Sequence, residues 1–288
     1  MKKTKKILSF ILALVLFFAV TTIEDILSDG ADGEDVEVHF IDVGQGDAIL
    51  VKKGQESMVI DAGKNSNEKL IVNYIKRQNI NKIKYVIGTH PHEDHIGGLD
   101  SVIDNFDIEN VIMPNITTNT RTFESVLDSI VKKGLTITKA QSGKEYDLDG
   151  AKITILAPNS EEYSGLNDYS VVVKLTHGKT SFVFTGDAEK TSEKEMVEVY
   201  GSKLKADVLK LGHHGSTTST TKDFFRLVDP DIAVITVGKD NGYGHPHKKI
   251  IDMLKKNDTA LYRTDRHGTI IIKSDGNNLG VSTSESNN

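Results

Sequence analysis

The stretch THPHEDHIGG, residues 89–98, decides how the rest of the chain is interpreted. It places three imidazoles and one carboxylate within six positions, namely His90, His92, Asp94 and His95. Neutral imidazole nitrogen and carboxylate oxygen are ligands for zinc, and also for manganese or iron. Four such residues at this spacing predict a metal site rather than a solvated polar loop.

The local chain geometry around this stretch predicts two neighbouring ions. His90 and His92 are two residues apart, so their side chains point the same way on an extended chain, which Pro91 stiffens. Asp94 stands where a helix is predicted to begin, beside the positive end of the helix dipole. We therefore expect His90 and His92 to serve one ion, and Asp94 and His95 a second ion about 3.5–4 Å away. Asp94 is also expected to orient the nucleophile.

The composition of the chain limits its chemistry and its partners. The 288 residues, 38% of them hydrophobic, are enough for one large core or two small ones. Because cysteine is absent, every metal ligand must be nitrogen or oxygen. The net charge of −6 argues against binding a polyanion through the general surface, so any contact with nucleic acid must be local and assisted by the metals.

The two ends of the chain differ from its middle. A basic start followed by an apolar run predicts that residues 1–22 are a secretory signal peptide or an uncleaved N-terminal anchor. Residues 23–35 form an acidic linker, and residues 277–288 are predicted to be a disordered polar tail. The expected location is outside the cell, or anchored to the outer face of the cytoplasmic membrane.

Residues 36–276 contain two β-rich halves, each with helical segments that could cover a sheet. Alternating apolar residues predict strands on both sides of residues 89–98, with a helix over residues 96–105 and others over 122–132 and 190–200. This pattern predicts an α/β or α+β domain whose sheets are covered by helices.

THPHEDHIGG resembles the signature of the metallo-β-lactamase superfamily of metal-dependent hydrolases. Further segments resemble the hydrolase domain at the C-terminal end of ComEC-type competence proteins, which are DNA-uptake channels, and its free-standing secreted relatives. The resemblance covers residues 36–276, and it implies a four-layer αββα sandwich with metal ligands on loops at one edge of the sheets. The segments that carry it are HFIDVGQGDAIL (39–50), SMVIDAG (57–63), FTGDAE (184–189), LKLGHHGS (209–216), NGYGHPH (241–247) and RTDRHGT (263–269).

The resemblance also implies the remaining ligands. Asp187, at the end of an apolar strand, would bridge two cations, and His245 would be the last ligand of the second ion. Adjacent side chains on an extended chain point in opposite directions, so we prefer His214 as a ligand and His213 as a catalytic residue that faces substrate. The family's usual third motif, of G-H-T type, is missing ahead of Asp187, and the HHG pair is expected to supply the missing imidazole.

Several other residues are predicted to support the site or to meet substrate. Asp61 is expected to accept a hydrogen bond from a ligand imidazole or from residues 89–98, which we call the metal loop. For Asp42 and Asp47, a turn or packing role and a substrate role remain open. Lys210 either meets an anionic substrate or pairs with Asp207, and Tyr243 is placed with the groups that touch substrate.

Taken together, the residues and the resemblance predict a hydrolase that uses a hydroxide activated by two divalent metal ions, zinc first and manganese second. The expected substrate is a phosphodiester, such as extracellular DNA, and no obligate protein partner is indicated. The alternatives are a phosphorylcholine-esterase-like activity, hydrolysis of a β-lactam or lactone, and a metal-binding module that turns nothing over. A membrane association is expected only if the N-terminal segment stays uncleaved.

Overall fold

Two mixed β-sheets form the centre of the computed structural model, which describes residues 35–284. The first sheet has eight strands in the order β15-β14-β1-β2-β3-β4-β5-β6, and the second has seven in the order β13-β12-β11-β10-β9-β8-β7. The predicted N-terminal segment, the linker up to residue 34 and the last four residues lie outside the described part of the chain.

In the first sheet, β3 to β6 run parallel to one another and the remaining neighbours pair antiparallel. Its strands are β1 Val36–Phe40, β2 Ala48–Lys53, β3 Glu56–Ala62, β4 Lys82–Ile87, β5 Asp107–Met113, β6 Ile137–Lys139, β14 Ile270–Ser274 and β15 Leu279–Thr283.

In the second sheet, β10 to β13 are parallel and the remaining neighbours are antiparallel. Its strands are β7 Glu145–Leu148, β8 Ala151–Ala157, β9 Val172–His177, β10 Thr180–Phe184, β11 Val208–Lys210, β12 Ile232–Ile235 and β13 Ala260–Arg263.

Helices cover the outer faces of both sheets and complete four layers. One apolar cluster fills the space between the sheets and includes Phe40 and Phe182. A second cluster packs the first sheet against the helices between residues 68 and 132, and a third packs the second sheet against the helices between residues 190 and 256. The predicted αββα sandwich is therefore confirmed. The helices are α1 Glu68–Arg77, α2 Glu93–Ile96, α3 Leu99–Asn105, α4 Arg121–Lys132, α5 Lys190–Tyr200, α6 Lys222–Val228, α7 Lys248–Lys256 and α8 Thr264–His267.

The C-terminal segment differs from its prediction. Its composition predicts disorder from residue 277, but Leu279–Thr283 pairs antiparallel with Ile270–Ser274 as an edge strand. The apolar residues of this strand, Leu279 and Val281, pack against the cluster between the sheets, which gives a polar segment enough buried area to order.

Among residues 35–284, no helix is long and apolar enough to cross a membrane.

Candidate metal centre

The candidate site lies where three loops leave the carboxyl ends of β4, β10 and β11. The loop after β4 carries His90 and His92 and runs into α2, which carries Asp94 and His95. The loop after β10 carries Asp187, and the loop after β11 carries His213 and His214. β4 runs parallel to β3 and β5, and β10 runs parallel to β11, so the loops after these strands lie at one edge of each sheet, and the two edges meet here.

Asp187 lies in the middle of these side chains. Each of its two carboxylate oxygens faces a different group of them. On its Oδ2 side, His90 Nε2 lies 3.9 Å away and His213 Nε2 3.6 Å away. His92 belongs to the same side, because its Nδ1 lies 2.9 Å from His90 Nε2.

On the Oδ1 side of Asp187, His95 Nε2 lies 3.2 Å away and His214 Nε2 lies 3.8 Å away. Asp94 Oδ2 joins this side at 3.4 Å from His214 Nε2. The ligand atoms of Asp94, His95 and His214 all lie within 4.8 Å of one another, and so do those of His90, His95 and Asp187. The structure thus places His90 and His92 on one side, and Asp94 and His95 on the other.

Four imidazoles have their Nδ1 atoms engaged by the surrounding protein, which leaves Nε2 to point inward. A ring whose second nitrogen is held in this way has a fixed orientation and tautomer, as metal-binding histidines require. The Nδ1 partners are Asp61 Oδ2 for His95 at 2.8 Å, the Thr236 carbonyl for His214 at 2.9 Å, Ser170 Oγ for His90 at 3.3 Å and Glu189 Oε1 for His213 at 3.0 Å.

The adjacent pair His213–His214 does not have the extended backbone that its prediction assumed. Both residues have left-handed backbone angles, with φ of 49° and 53°. Both side chains therefore converge on the Asp187 carboxylate, with His213 Nε2 near its Oδ2 and His214 Nε2 near its Oδ1. His214 is buried, whereas the side chain of His213 is 26% exposed.

Several buried atoms at the centre have no hydrogen-bond partner, and this tests whether the site fits a cation. These atoms are His95 Nε2, His214 Nε2 and Asp187 Oδ1. His95 Nε2 and Asp187 Oδ1 lie 3.2 Å apart as an ion pair, but neither forms a hydrogen bond. A buried polar atom without a hydrogen bond costs about 1–3 kcal/mol, so the convergence of these three needs an explanation. A divalent cation that accepts nitrogen and oxygen ligands would satisfy all three, and the residues present fit such a group.

The charges at the centre also favour a bound cation. Burial by itself would raise the pKa of the Asp187 carboxyl, but His95 and His214 hold that pKa well below its usual range. Burial would lower the pKa of His95, but the carboxylates of Asp187, Asp61 and Asp47 raise it well above its usual range. The carboxylates thus impose a negative potential on the space between the imidazoles, and this potential attracts positive charge.

Asp47 and Lys210 form a buried pair beneath the centre. Lys210 Nζ lies 2.5 Å from Asp47 Oδ2, and both side chains are almost completely buried. Lys210 therefore neither meets substrate nor pairs with Asp207, which instead accepts hydrogen bonds from Ser181. Asp47 also contacts Thr236 Oγ1 and lies 3.4 Å from His214 Nδ1, so it supports the site from behind.

Two other predicted residues lie at the margin. Asp42 accepts a hydrogen bond from the Gly44 backbone at 3.1 Å, which is a turn role. Tyr243 is 66% exposed, and its ring stacks on that of His245 with a centroid distance of 5.7 Å. Asn241 Oδ1 accepts the backbone N–H of both Tyr243 and His245, and so fixes the shape of this loop.

The structure does not bring His245 into either group of ligand atoms around Asp187. Its ring lies 5.5 Å from the ring of His213 and 6.5 Å from that of His214. Burial and the neighbouring histidines lower the pKa of His245 to about 4, so it is neutral at pH 7.

Sequence reasoning predicted the supporting role of Asp61 but missed four other residues that hold the ligands or their loop, namely Thr89, Ser170, Glu189 and Thr236. Thr89 donates its backbone N–H to Asp61 Oδ1 at 2.8 Å and its hydroxyl to Asp61 Oδ2 at 2.6 Å, which fixes the start of the metal loop. Ser170 occupies the stretch where the family's third motif was expected. Glu189 follows Asp187 by two residues and closes the FTGDAE segment, whereas Thr236 carries no local signal.

Comparison with known proteins places this chain in a family. Residues 41–239 match the sequence model of the metallo-beta-lactamase superfamily. ComE operon protein 3 of Bacillus subtilis (strain 168) is 30% identical over 81% of this chain and 32% of its own length. Recombination protein 2 of Haemophilus influenzae is 30% identical over 82% of this chain and 28% of its own length. The chain thus spans about a third of the length of these relatives.

A solved structure gives the same fold. The metallo-beta-lactamase fold protein YhfI from Bacillus subtilis superposes with a TM-score of 0.57, over 84% of this chain and 100% of YhfI. Its sequence identity is only 14%, so this likeness concerns the fold alone.

Proposed function

This chain belongs to the metallo-beta-lactamase superfamily, and we propose that it is a metal-dependent hydrolase that cleaves phosphodiester bonds. The observation that carries the proposal is the convergence of His95 Nε2, His214 Nε2 and Asp187 Oδ1, three buried atoms without hydrogen-bond partners. A site that holds these atoms in place at such a cost is suited to a cation with a chemical role.

We infer that this centre would hold two divalent cations and that Asp187 would be a ligand to both. His90 and His92 would hold one cation on the Oδ2 side, and Asp94, His95 and His214 would hold the other on the Oδ1 side. The ligand set of imidazoles and carboxylates without thiolate suits zinc, and manganese second. Such cations lower the pKa of water and stabilise negative charge on a phosphoryl oxygen.

Asp94 would orient the attacking water, and His213 would carry the proton transfer. The side chain of Asp94 is 25% exposed, whereas Asp187 is buried, so Asp94 Oδ2 can reach an incoming water and orient it. His213 is the exposed member of its pair, and Glu189 Oε1 holds its Nδ1. Its Nε2 then presents a lone pair, which would accept a proton from the attacking water and return it to the leaving oxygen of the substrate.

The relatives of this chain, rather than its fold, suggest a phosphodiester as the substrate, because this fold accommodates several chemistries. The similar proteins carry names that refer to recombination and to competence. A DNA strand is the phosphodiester that such names suggest. Since this chain matches only about a third of those proteins, the proposal concerns hydrolysis and not DNA transport.

A panel of substrates tests the function directly. The full chain, stripped with a chelator and then supplied with zinc or manganese, would be assayed on bis-p-nitrophenyl phosphate, single- and double-stranded DNA, a phosphorylcholine ester and nitrocefin. We expect hydrolysis of bis-p-nitrophenyl phosphate and DNA only after the metal is restored. Hydrolysis of nitrocefin alone would refute the phosphodiester, and no hydrolysis at all would favour a binding module.

Substitution of the adjacent histidines separates their proposed roles. His214→Ala should lower the amount of bound metal, measured by elemental analysis. His213→Ala should keep the metal and lose turnover at least 100-fold, which is the usual scale for a general acid. Loss of metal in His213→Ala would make it a ligand instead.

We also infer that the enzyme acts outside the cytoplasm. The proposal rests on the basic and apolar start of residues 1–22. Mass spectrometry of the exported protein would show whether that segment is removed. An intact N-terminus on a membrane-bound protein would indicate an anchor, and protein confined to the cytoplasm would refute the proposal.

A further inference from the structure

A groove with a volume of about 570 Å³ opens beside the metal centre, within the size range of ligand clefts. It lies between α7 and residues 217–223, and the first residue of α5, Lys190, also lines it. Ile250 and Met253 of α7 contribute apolar area to its walls. Nothing in the proposed catalytic step uses this groove.

The groove carries a local excess of positive charge in an acidic protein. Four exposed lysines line it, namely Lys190, Lys222, Lys249 and Lys256. Within residues 35–284, none of these four ammonium groups has a carboxylate within 4.0 Å. The two acids of the groove have other partners: Asp252 pairs with Lys248 at 2.5 Å, and Asp223 lies 3.7 Å from Arg226.

Contacts between its lining and the histidines connect the groove to the centre. Thr217, on the wall of the groove, donates its backbone N–H to His247 Nδ1 at 2.9 Å. Thr218 Oγ1, the next residue, lies 3.1 Å from His213 Nδ1. Lys190 directly follows Glu189, which holds the same His213. A polymer whose scissile bond lies at Asp187 would therefore meet these lysines on one side.

A row of rings lies at the same junction. The ring of Tyr243 stacks on His245 at an interplanar angle of 23°, and His245 meets the ring of His247 edge to face at 4.8 Å. His245 Nδ1 is buried without a partner. Proteins that bind single strands combine a basic groove, which follows the phosphates, with aromatic faces on which bases stack.

We propose that this groove binds the phosphate backbone of a single nucleic-acid strand while Tyr243 stacks on a base beside the metal centre. The inference rests on the proposed function for the identity of the cleaved bond. It adds that the substrate is a polymer that extends several nucleotides beyond that bond. It also places the polyanion contact on one small surface, which is compatible with the net charge of −6.

Binding of a fluorescent dT15 oligonucleotide to the full chain tests the groove without catalysis. Anisotropy would be measured in EDTA over a series of NaCl concentrations, for the natural chain and for a variant with Lys190, Lys222, Lys249 and Lys256 changed to alanine. We expect the dissociation constant of the quadruple variant for dT15 to be at least tenfold higher than that of the natural chain at low salt. The slope of log affinity against log salt should become shallower by about 3, at about 0.7 for each phosphate that a lysine no longer neutralises.

A matched control removes the same charge elsewhere. Lys69, Lys144, Lys179 and Lys203 are also exposed and, within residues 35–284, have no carboxylate within 4.0 Å. Their replacement by alanine should change the affinity and the salt slope little. Equal effects of the two quadruple variants, or no effect of the groove variant, would overturn the proposal.

Two further measurements identify the ligand and distinguish the groove proposal from the hydrolase proposal. Inorganic polyphosphate, which has the charge but no bases, should bind at least tenfold more weakly than dT15, and Tyr243→Ala should weaken only dT15 binding. Equal affinity for both polymers would overturn the assignment to nucleic acid. If metal-loaded protein fails to cleave bis-p-nitrophenyl phosphate but the lysine effects hold, the groove stands and the hydrolase proposal fails.

Discussion

Asp61 Oδ2 lies 2.8 Å from His95 Nδ1, while the other oxygen of Asp61 accepts the Thr89 backbone N–H. One buried carboxylate therefore holds both a ligand imidazole and the start of the metal loop. Burial raises the pKa of Asp61, while His95 and the Thr89 hydroxyl oppose that rise. The contact makes the orientation of His95 depend on a residue that would not touch the metal.

Asp61→Asn should lower metal affinity about 10- to 100-fold, because an amide cannot hold His95 Nδ1 and the Thr89 N–H as strongly as a carboxylate does. Competition with a coloured chelator measures the affinity. The control is Asp42→Asn, since Asp42 accepts only a turn hydrogen bond from Gly44. Equal metal affinity in the two variants would contradict the role given to Asp61.

Asp187→Ala should remove metal from both sides of the centre, because each oxygen of this carboxylate faces one group of ligands. Elemental analysis should then find no bound cation, against the two that we expect for the natural chain. Asp94→Ala should keep the cation on the Oδ2 side, because Asp94 contacts His214 and lies on the Oδ1 side. A full complement of two ions in Asp187→Ala would contradict the bridging position.

Residues 89–98 could be predicted as a metal loop from sequence because four candidate ligand residues lie within six positions. The arrangement of His213 and His214 could not, since an adjacent pair points in opposite directions only on an extended chain, and here φ is 49° and 53°. The contacts of Ser170 and Thr236 join residues 80 and 22 positions apart. Such contacts depend on how the two sheets meet, and no local pattern encodes that.

The burial of Lys210 was also beyond sequence reasoning. A lysine at the end of a strand is usually exposed, and only the structure shows Asp47, 163 residues earlier, against it. The same holds for Leu279–Thr283, whose polar composition predicts disorder until Ile270–Ser274 offers an edge to pair with. In both places a tertiary partner overrides what the segment favours alone.

Gly46→Ala should destabilise the fold by about 2 kcal/mol or more, because a Cβ there would overlap the Asp94 backbone oxygen. The displaced Asp94 should also lower activity. Gly44→Ala is the matched control, since Gly44 likewise has a positive φ, of 72°, but a Cβ would find no atom within 4 Å. It should cost about 1 kcal/mol from backbone strain alone. Urea unfolding measures both, and a larger loss in Gly44→Ala would contradict the packing of this turn against the metal loop.

Lys210→Met should destabilise the protein by about 3–5 kcal/mol, because it leaves the buried Asp47 carboxylate without its cation. Adding Asp47→Asn should recover part of that loss, since the uncompensated charge is then removed as well. Chemical unfolding of the two single variants and the double variant gives the coupling energy of the pair. Additive losses would show that Lys210 and Asp47 do not depend on each other.

The pH dependence of stability should include a contribution from Glu37, far from the metal ligands. Burial by itself would raise the pKa of this carboxyl, but hydrogen bonds from Lys273 and Lys52 lower it to about 2, against 4.5 for the unperturbed group. Because the folded state lowers the pKa, this group stabilises the fold fully above about pH 4.5. The contribution is lost as the pH falls toward about 2.

Glu37→Gln should therefore lower the free energy of unfolding by about 1 kcal/mol at pH 7, after allowance for the partial exposure of the side chain. The difference from the natural chain should shrink steadily as the pH falls from about 4.5 toward about 2, because the natural carboxylate becomes protonated in the unfolded chain first. Urea unfolding at several pH values measures it. Glu145→Gln is the control, since Glu145 also pairs with a lysine, Lys152, but is 56% exposed. A difference that grows toward acid would mean that the lysines around Glu37 do not hold its pKa down.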